Sequence, residues 1–122
     1  MPNVKVYILT EGGANIGFGH ITRCLSIYQM FEQRGINPVF IISADNSVKN
    51  LISNANYKLF DWINETDKLS AEIQNADVVV IDSYLSSKTL YYEISNNVTL
   101  CVYLDDNMRI EYPKGVVING AI

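Results

Sequence analysis

Short apolar runs alternate with amphipathic stretches along most of the 122-residue chain. VKVYILT (4–10) is β-branched, aromatic and short, which predicts a strand running into a glycine-bearing loop. From Ile21 the apolar positions become Ile21, Cys24, Leu25, Tyr28 and Phe31, a helical stripe that Arg34-Gly35 closes with a glycine cap. PVFIIS (38–43) predicts a second strand, after which Asp45 or Asn46 can cap a short helix through Leu51 and Ile52. YKLF (57–60) predicts a third, shorter strand, followed by a polar amphipathic helix from Glu65 to Asn75. DVVVID (77–82) is apolar throughout its centre, as buried parallel strands tend to be. A helix from Ser87 to Asn96, a strand at TLCVYLDD (99–106) and a strand at GVVING (115–120) complete the pattern.

Strands alternating with helices imply right-handed βαβ crossovers. The expected class is therefore α/β: a Rossmann-like, doubly wound parallel sheet with helices on both faces, forming one domain over residues 1–122. In such sheets ligands bind outside the carboxyl ends of the strands, near the switch in strand order. That rule selects particular polar residues. Glu11 and the glycines follow the first strand; Asp82, Ser83 and Tyr84 end the fourth; Asp105 and Asp106 end the fifth; Asn119 ends the sixth. All should line one edge.

Composition narrows the partners. The chain is 48% hydrophobic and 18% charged with a net charge of -4. Without clustered Lys and Arg to neutralise phosphates, nucleic acid is not an expected partner. Cys24 and Cys101 each sit within an apolar pattern and read as reduced core residues, not as a disulfide framework. No run approaches the roughly 18 apolar residues of a membrane span, so no membrane partner is expected and the cytoplasm is the default compartment.

The loop EGGANIGFGH (11–20) leads into the helix and holds the only histidine. A phosphate-binding GxxxxGK[ST] loop fails because Phe18 stands where lysine is required, and GxGxxG from Gly17 fails at Thr22. What remains is a backbone open to close approach, feeding a helix start whose N–H groups favour anions. His20 at that start suits general-base work on water if the positive helix end keeps the imidazole neutral. Arg23, three residues on, shares its face and can reach a phosphate or order a carboxylate. Asp82 can orient His20 or cap its own loop; magnesium between Asp82 and Asp105 is a conceivable alternative without diagnostic spacing.

IGFGHITRCLSIYQMF, then VVVIDSY, YLDDN and VVING, together resemble the N-terminal half of the UDP-sugar hydrolases of pseudaminic acid biosynthesis. That family's pattern is IGxGHxxRC, IDxY, DD and a closing strand with an asparagine, and all four occur here in order. The GxGH start alone is shared more loosely with peptidoglycan N-acetylglucosaminyltransferases. The resemblance implies a GT-B-like architecture with the active site between two Rossmann-like domains. Its reaction is hydrolysis of the glycosidic C–O bond of a UDP-linked diacetamido-trideoxy-altrose, with no cofactor or metal.

By this resemblance His20 activates water, while Gly17, Phe18 and Gly19 shape the phosphate-side loop. Arg23, Asp82 and Tyr84 contact substrate or orient the site, Asn119 lies near the hinge, and Asp105 and Asn119 are expected to bind substrate, with packing or loop capping the alternative for Asp105 and Asp106. The family's first loop usually carries an arginine and, two residues later, an aspartate; Leu9 and Glu11 stand there, so the sugar-facing side is expected to differ, with Glu11 expected to contact substrate. The resemblance also assigns uridine and most of the diphosphate to a C-terminal domain outside these residues, without which little activity is expected. A glycosyltransferase of cell-surface polysaccharide assembly and a non-catalytic sugar-binding domain are the alternatives.

Overall fold

Alternation along each strand sorts the core into two layers, one on each side of a single sheet. The computed structural model describes residues 4–105 and 111–118. Its elements run β1 (Val6–Glu11), α1 (Gly19–Gln33), β2 (Val39–Ser43), β3 (Tyr57–Leu59), α2 (Thr66–Ile73), β4 (Val78–Asp82), α3 (Lys88–Asn97), β5 (Leu100–Leu104) and β6 (Val116–Ile118). The sheet order is β3-β2-β1-β4-β5-β6, and every neighbouring pair is parallel. The Rossmann-like parallel sheet expected from the sequence is thus present.

One face carries Tyr7, Leu9, Ile41, Val79, Ile81, Cys101 and Tyr103, packed by α2, α3 and Trp62. The opposite face carries Ile8, Phe40, Ile42, Val80 and Leu104, packed by Ile21, Cys24 and Tyr28 of α1 together with Val48 and Ile52. Neighbouring residues in β1 therefore enter different cores, the period-two rule applied to a sheet covered on both sides. Both cysteines are buried free thiols, as their apolar settings suggested. No helix of the described residues is long and apolar enough to cross a membrane.

The boundaries depart from the sequence reading in three informative places. Helix α1 begins at Gly19, one residue before the His20 start expected from the sequence and two before the first residue of the buried stripe. The segment expected as a helix through Ile52 forms only a 3-10 turn over Asn46–Val48, with the Asp45 carboxylate accepting from Ser47 N at 2.9 Å. Seven residues are too few to repay helix nucleation unaided. Helix α2 stops at Ile73, and Asn75 turns the chain through a left-handed conformation (φ 63°) into β4.

The strand order places the site. From β1 the chain steps outward to β3, then returns to lay β4 on the other side of β1. The carboxyl ends of β1 and β4 diverge into loops there, with Thr10 in register opposite Asp82. That is the crevice in which open parallel sheets bind ligands.

Candidate active site

Beyond β1 the chain makes a miniature hairpin. Gly13 and Gly17 exchange both backbone hydrogen bonds, at 3.0 and 2.7 Å, with φ of 126° and 101°. Those conformations are available to glycine at little cost and to other residues only with strain. The hairpin delivers the chain to the start of α1, where Phe18 is the N-cap and no side chain caps the helix. A Cβ at Gly19 would meet nothing within 4 Å, so the bare N–H groups of the first turn sit behind open space. Such an end attracts negative charge.

His20 and Arg23 project from this first turn onto one carboxylate. Asp82, the last residue of β4, accepts from His20 Nδ1 on Oδ1 at 2.7 Å. Arg23 grips both oxygens, Nε to Oδ2 at 2.8 Å and Nη2 to Oδ1 at 2.7 Å. The Cys24 thiol adds a longer contact to Oδ2 at 3.7 Å. The Asp82 side chain is fully buried, while those of His20 and Arg23 keep 15% and 26% of their exposure. Arg23 therefore orders a carboxylate, one of the two roles the sequence left open.

The electrostatics correct one expectation. Burial pushes the Asp82 carboxyl up, but the hydrogen bonds and charges of His20 and Arg23 outweigh it and hold the group below its ordinary value. His20 is raised above its ordinary value of 6.5, chiefly by its hydrogen bond to Asp82 and against the opposing effect of burial. The carboxylate at 2.7 Å favours the charged ring, opposite to the preference expected from the helix end. With Nδ1–H committed to Asp82, the neutral ring carries its lone pair on Nε2, which has no hydrogen-bond partner among the described residues. A fixed tautomer with one free acceptor nitrogen is the arrangement of a general base.

Glu11 lies behind the site instead of facing it, which corrects its expected contact with substrate. It is 1% exposed, and its oxygens accept from the Ser83 hydroxyl, from Tyr84 N at 2.8 Å and from Leu85 N at 3.1 Å. Beside it, Thr10 Oγ donates to the Asp82 carbonyl at 2.8 Å, and Trp62 Nε1 donates to the Thr10 carbonyl at 2.8 Å. The tips of β1 and β4 are thereby tied by side chains as well as by the ladder. Tyr84 leaves this turn with its ring edge-on to His20, centroids 4.6 Å apart and planes at 89°.

Ile16, Gly19, His20, Arg23 and Tyr84 line an open depression of about 360 Å³. A second, of about 310 Å³, lies across the glycine hairpin against Ser43, Asp45, Phe60 and Asp61, and shares Ile16 with the first. The structure thus gathers Gly19, His20, Arg23, Asp82 and Tyr84, with Gly17 and Phe18 building the approach. The Asp105 carboxylate is buried and accepts from the Tyr112 hydroxyl at 2.7 Å, away from the residues that line the depression. The magnesium alternative accordingly finds Asp82 and Asp105 committed to different partners. Asn119 and Asp106 lie outside the described residues. Sequence reasoning missed Ile16, whose only signal was an apolar residue amid the polar and glycine positions of the loop, and it missed the tie from Thr10.

Comparison of the chain with family models, with curated proteins and with solved structures gave no match, so the meaning of this site rests on its own geometry.

Proposed function

We propose that this chain carries the water-activating centre of a sugar-nucleotide hydrolase. The substrate is a UDP-linked diacetamido-trideoxy sugar of the altrose type, and the products are UDP and the free sugar for nonulosonic acid or surface polysaccharide synthesis. The observation that supports this most is the buried Asp82 carboxylate holding His20 by Nδ1 beside an open depression at the tips of β1 and β4. Nε2 takes a proton from water as the water oxygen bonds to the anomeric carbon. The bond from that carbon to the diphosphate oxygen breaks with its electron pair, UDP leaves, and the configuration inverts in one displacement. Asp82 stabilises the imidazolium that forms, and Arg23 keeps Asp82 ionised and in place. The uncapped start of α1 favours the negative charge of the departing diphosphate. Two buried free thiols accord with a cytoplasmic setting.

The test is UDP release by the full-length protein from a panel of UDP-sugars, with and without candidate acceptors. Acceptor-independent release is expected, and His20→Asn should abolish it while UDP binding survives in calorimetry. Undiminished turnover by that variant would remove His20 from the mechanism and overturn the reading. One observation favours a second: the depression across the hairpin gives room for an acceptor, whose hydroxyl the same base would deprotonate in a glycosyltransferase. Release that requires an acceptor would select it.

A further inference from the structure

A carboxylate buried at a strand tip calls for a reason, since transferring it from water is costly unless its lone pairs are matched. Glu11 is matched by three donors of one turn: the Ser83 hydroxyl on Oε1, and the Tyr84 and Leu85 amides on Oε2. Ser83 Oγ in turn accepts from Leu85 N at 3.2 Å and Ser86 N at 3.1 Å, and its carbonyl accepts from the Tyr91 hydroxyl at 3.2 Å. The Ser83 proton therefore has Glu11 as its outlet. Only an acceptor-only group satisfies all three donors at once; a glutamine would aim an N–H group at one of them.

The bond to Tyr84 N fixes the backbone of the residue whose ring meets His20 edge-on and walls the depression. We propose that Glu11 is a positioning residue: by clamping the turn after β4 it sets where the Tyr84 ring stands against His20, and so the shape of the pocket. It touches no reacting atom. Its consequence for catalysis rests on the hydrolase reading above, but the placement itself does not.

His20 is the only histidine, so its ring protons give one unambiguous set of NMR signals. Tyr84→Ala defines the shifts those protons adopt when the neighbouring ring is gone. Glu11→Asp keeps the charge and shortens the reach by one methylene, whereas Glu11→Gln keeps the length and removes the charge. Both variants should move the His20 ring protons toward the Tyr84→Ala values, and the Tyr84 and Leu85 amides should exchange roughly tenfold faster, as expected for each hydrogen bond lost. Wild-type shifts in folded Glu11→Asp would overturn the proposal, including the case in which Glu11→Gln alone moves them, because charge and not placement would then be the cause. Should Glu11→Gln fail to fold, Glu11→Asp decides; should Glu11→Asp fail to fold, amide exchange at Tyr84 and Leu85 in Glu11→Gln decides, wild-type rates overturning the proposal. The readout needs no substrate. A failed hydrolase assay leaves the proposal standing, and unmoved His20 signals end it whatever the enzyme does.

Discussion

Replacing Asp82 by asparagine tests the centre of the site while preserving its shape. The carboxylate accepts three charge-assisted bonds, at 2.7, 2.8 and 2.7 Å. Asparagine offers one oxygen, so its N–H₂ must face a donor: either Arg23 Nε, or His20 Nδ1 and Arg23 Nη2 together. The first arrangement is cheaper and forfeits one bond to a charged group, about 1.5–3 kcal/mol, while weakening the other two. The total should be about 3 kcal/mol, the low end for breaking a buried pair, because His20 and Arg23 retain some solvent. For a domain of this size that lowers the unfolding midpoint by about 12 °C.

Thermal unfolding of wild type and Asp82→Asn across pH measures the loss, and linkage gives its shape. Asp82 is held below its ordinary 3.8, so its contribution is complete above 3.8 and is lost as pH falls through the folded value. His20 is raised above 6.5, so its contribution is complete below 6.5 and is lost as pH rises through the folded value. The gap between the two proteins should be widest between pH 3.8 and 6.5. It should narrow only in part on the alkaline side, where Arg23 still holds the carboxylate. A gap below about 3 °C throughout that window would refute the reasoning.

On the proposed hydrolase reading, the same His20 shift predicts that UDP release falls on acidification with a midpoint above pH 6.5, measured as kcat/KM against pH. Trp62→Ala should destabilise the domain by about 3–5 kcal/mol in denaturant unfolding, since a fully buried ring and the bond to the Thr10 carbonyl vanish together. Gly12→Ala should cost about 1–3 kcal/mol, because the new methyl would lie 2.3 Å from Ile21 Cδ1 in a filled core and 3.0 Å from the Gly17 carbonyl oxygen. Gly19→Ala, which meets nothing within 4 Å, should unfold at the wild-type midpoint or above it.

Strands were legible where burial on both faces makes the chain apolar without interruption, as in DVVVID, and helices where a stripe repeats, as from Ile21 to Phe31. The first turn of α1 was legible from the glycine loop that feeds it and not from the stripe, since Gly19 and His20 sit off that stripe. The meeting of His20, Arg23 and Asp82 was legible in outline: a three-residue spacing puts the first two on one helix face, and the strand-tip rule places the third. The role of Glu11 was hidden, since no pattern within a strand reveals that amides 73 and 74 residues away point back at it. The charge preference of His20 needed the distance: the sequence offers Asp82 as a partner for the ring, but not the 2.7 Å contact that favours the charged form against a helix-end field.

The side-chain ties at the tips of β1 and β4 join residues far apart along the polypeptide: His20 and Asp82 are 62 positions apart, Arg23 and Asp82 59, and Glu11 and Tyr84 73. None can close until the chain has emerged as far as Asp82 and β4 has docked against β1. Loop closure on that scale is slow compared with local turns. The imidazole thus doubles as a clock for assembly, its environment becoming native only when the central pair of strands has zipped.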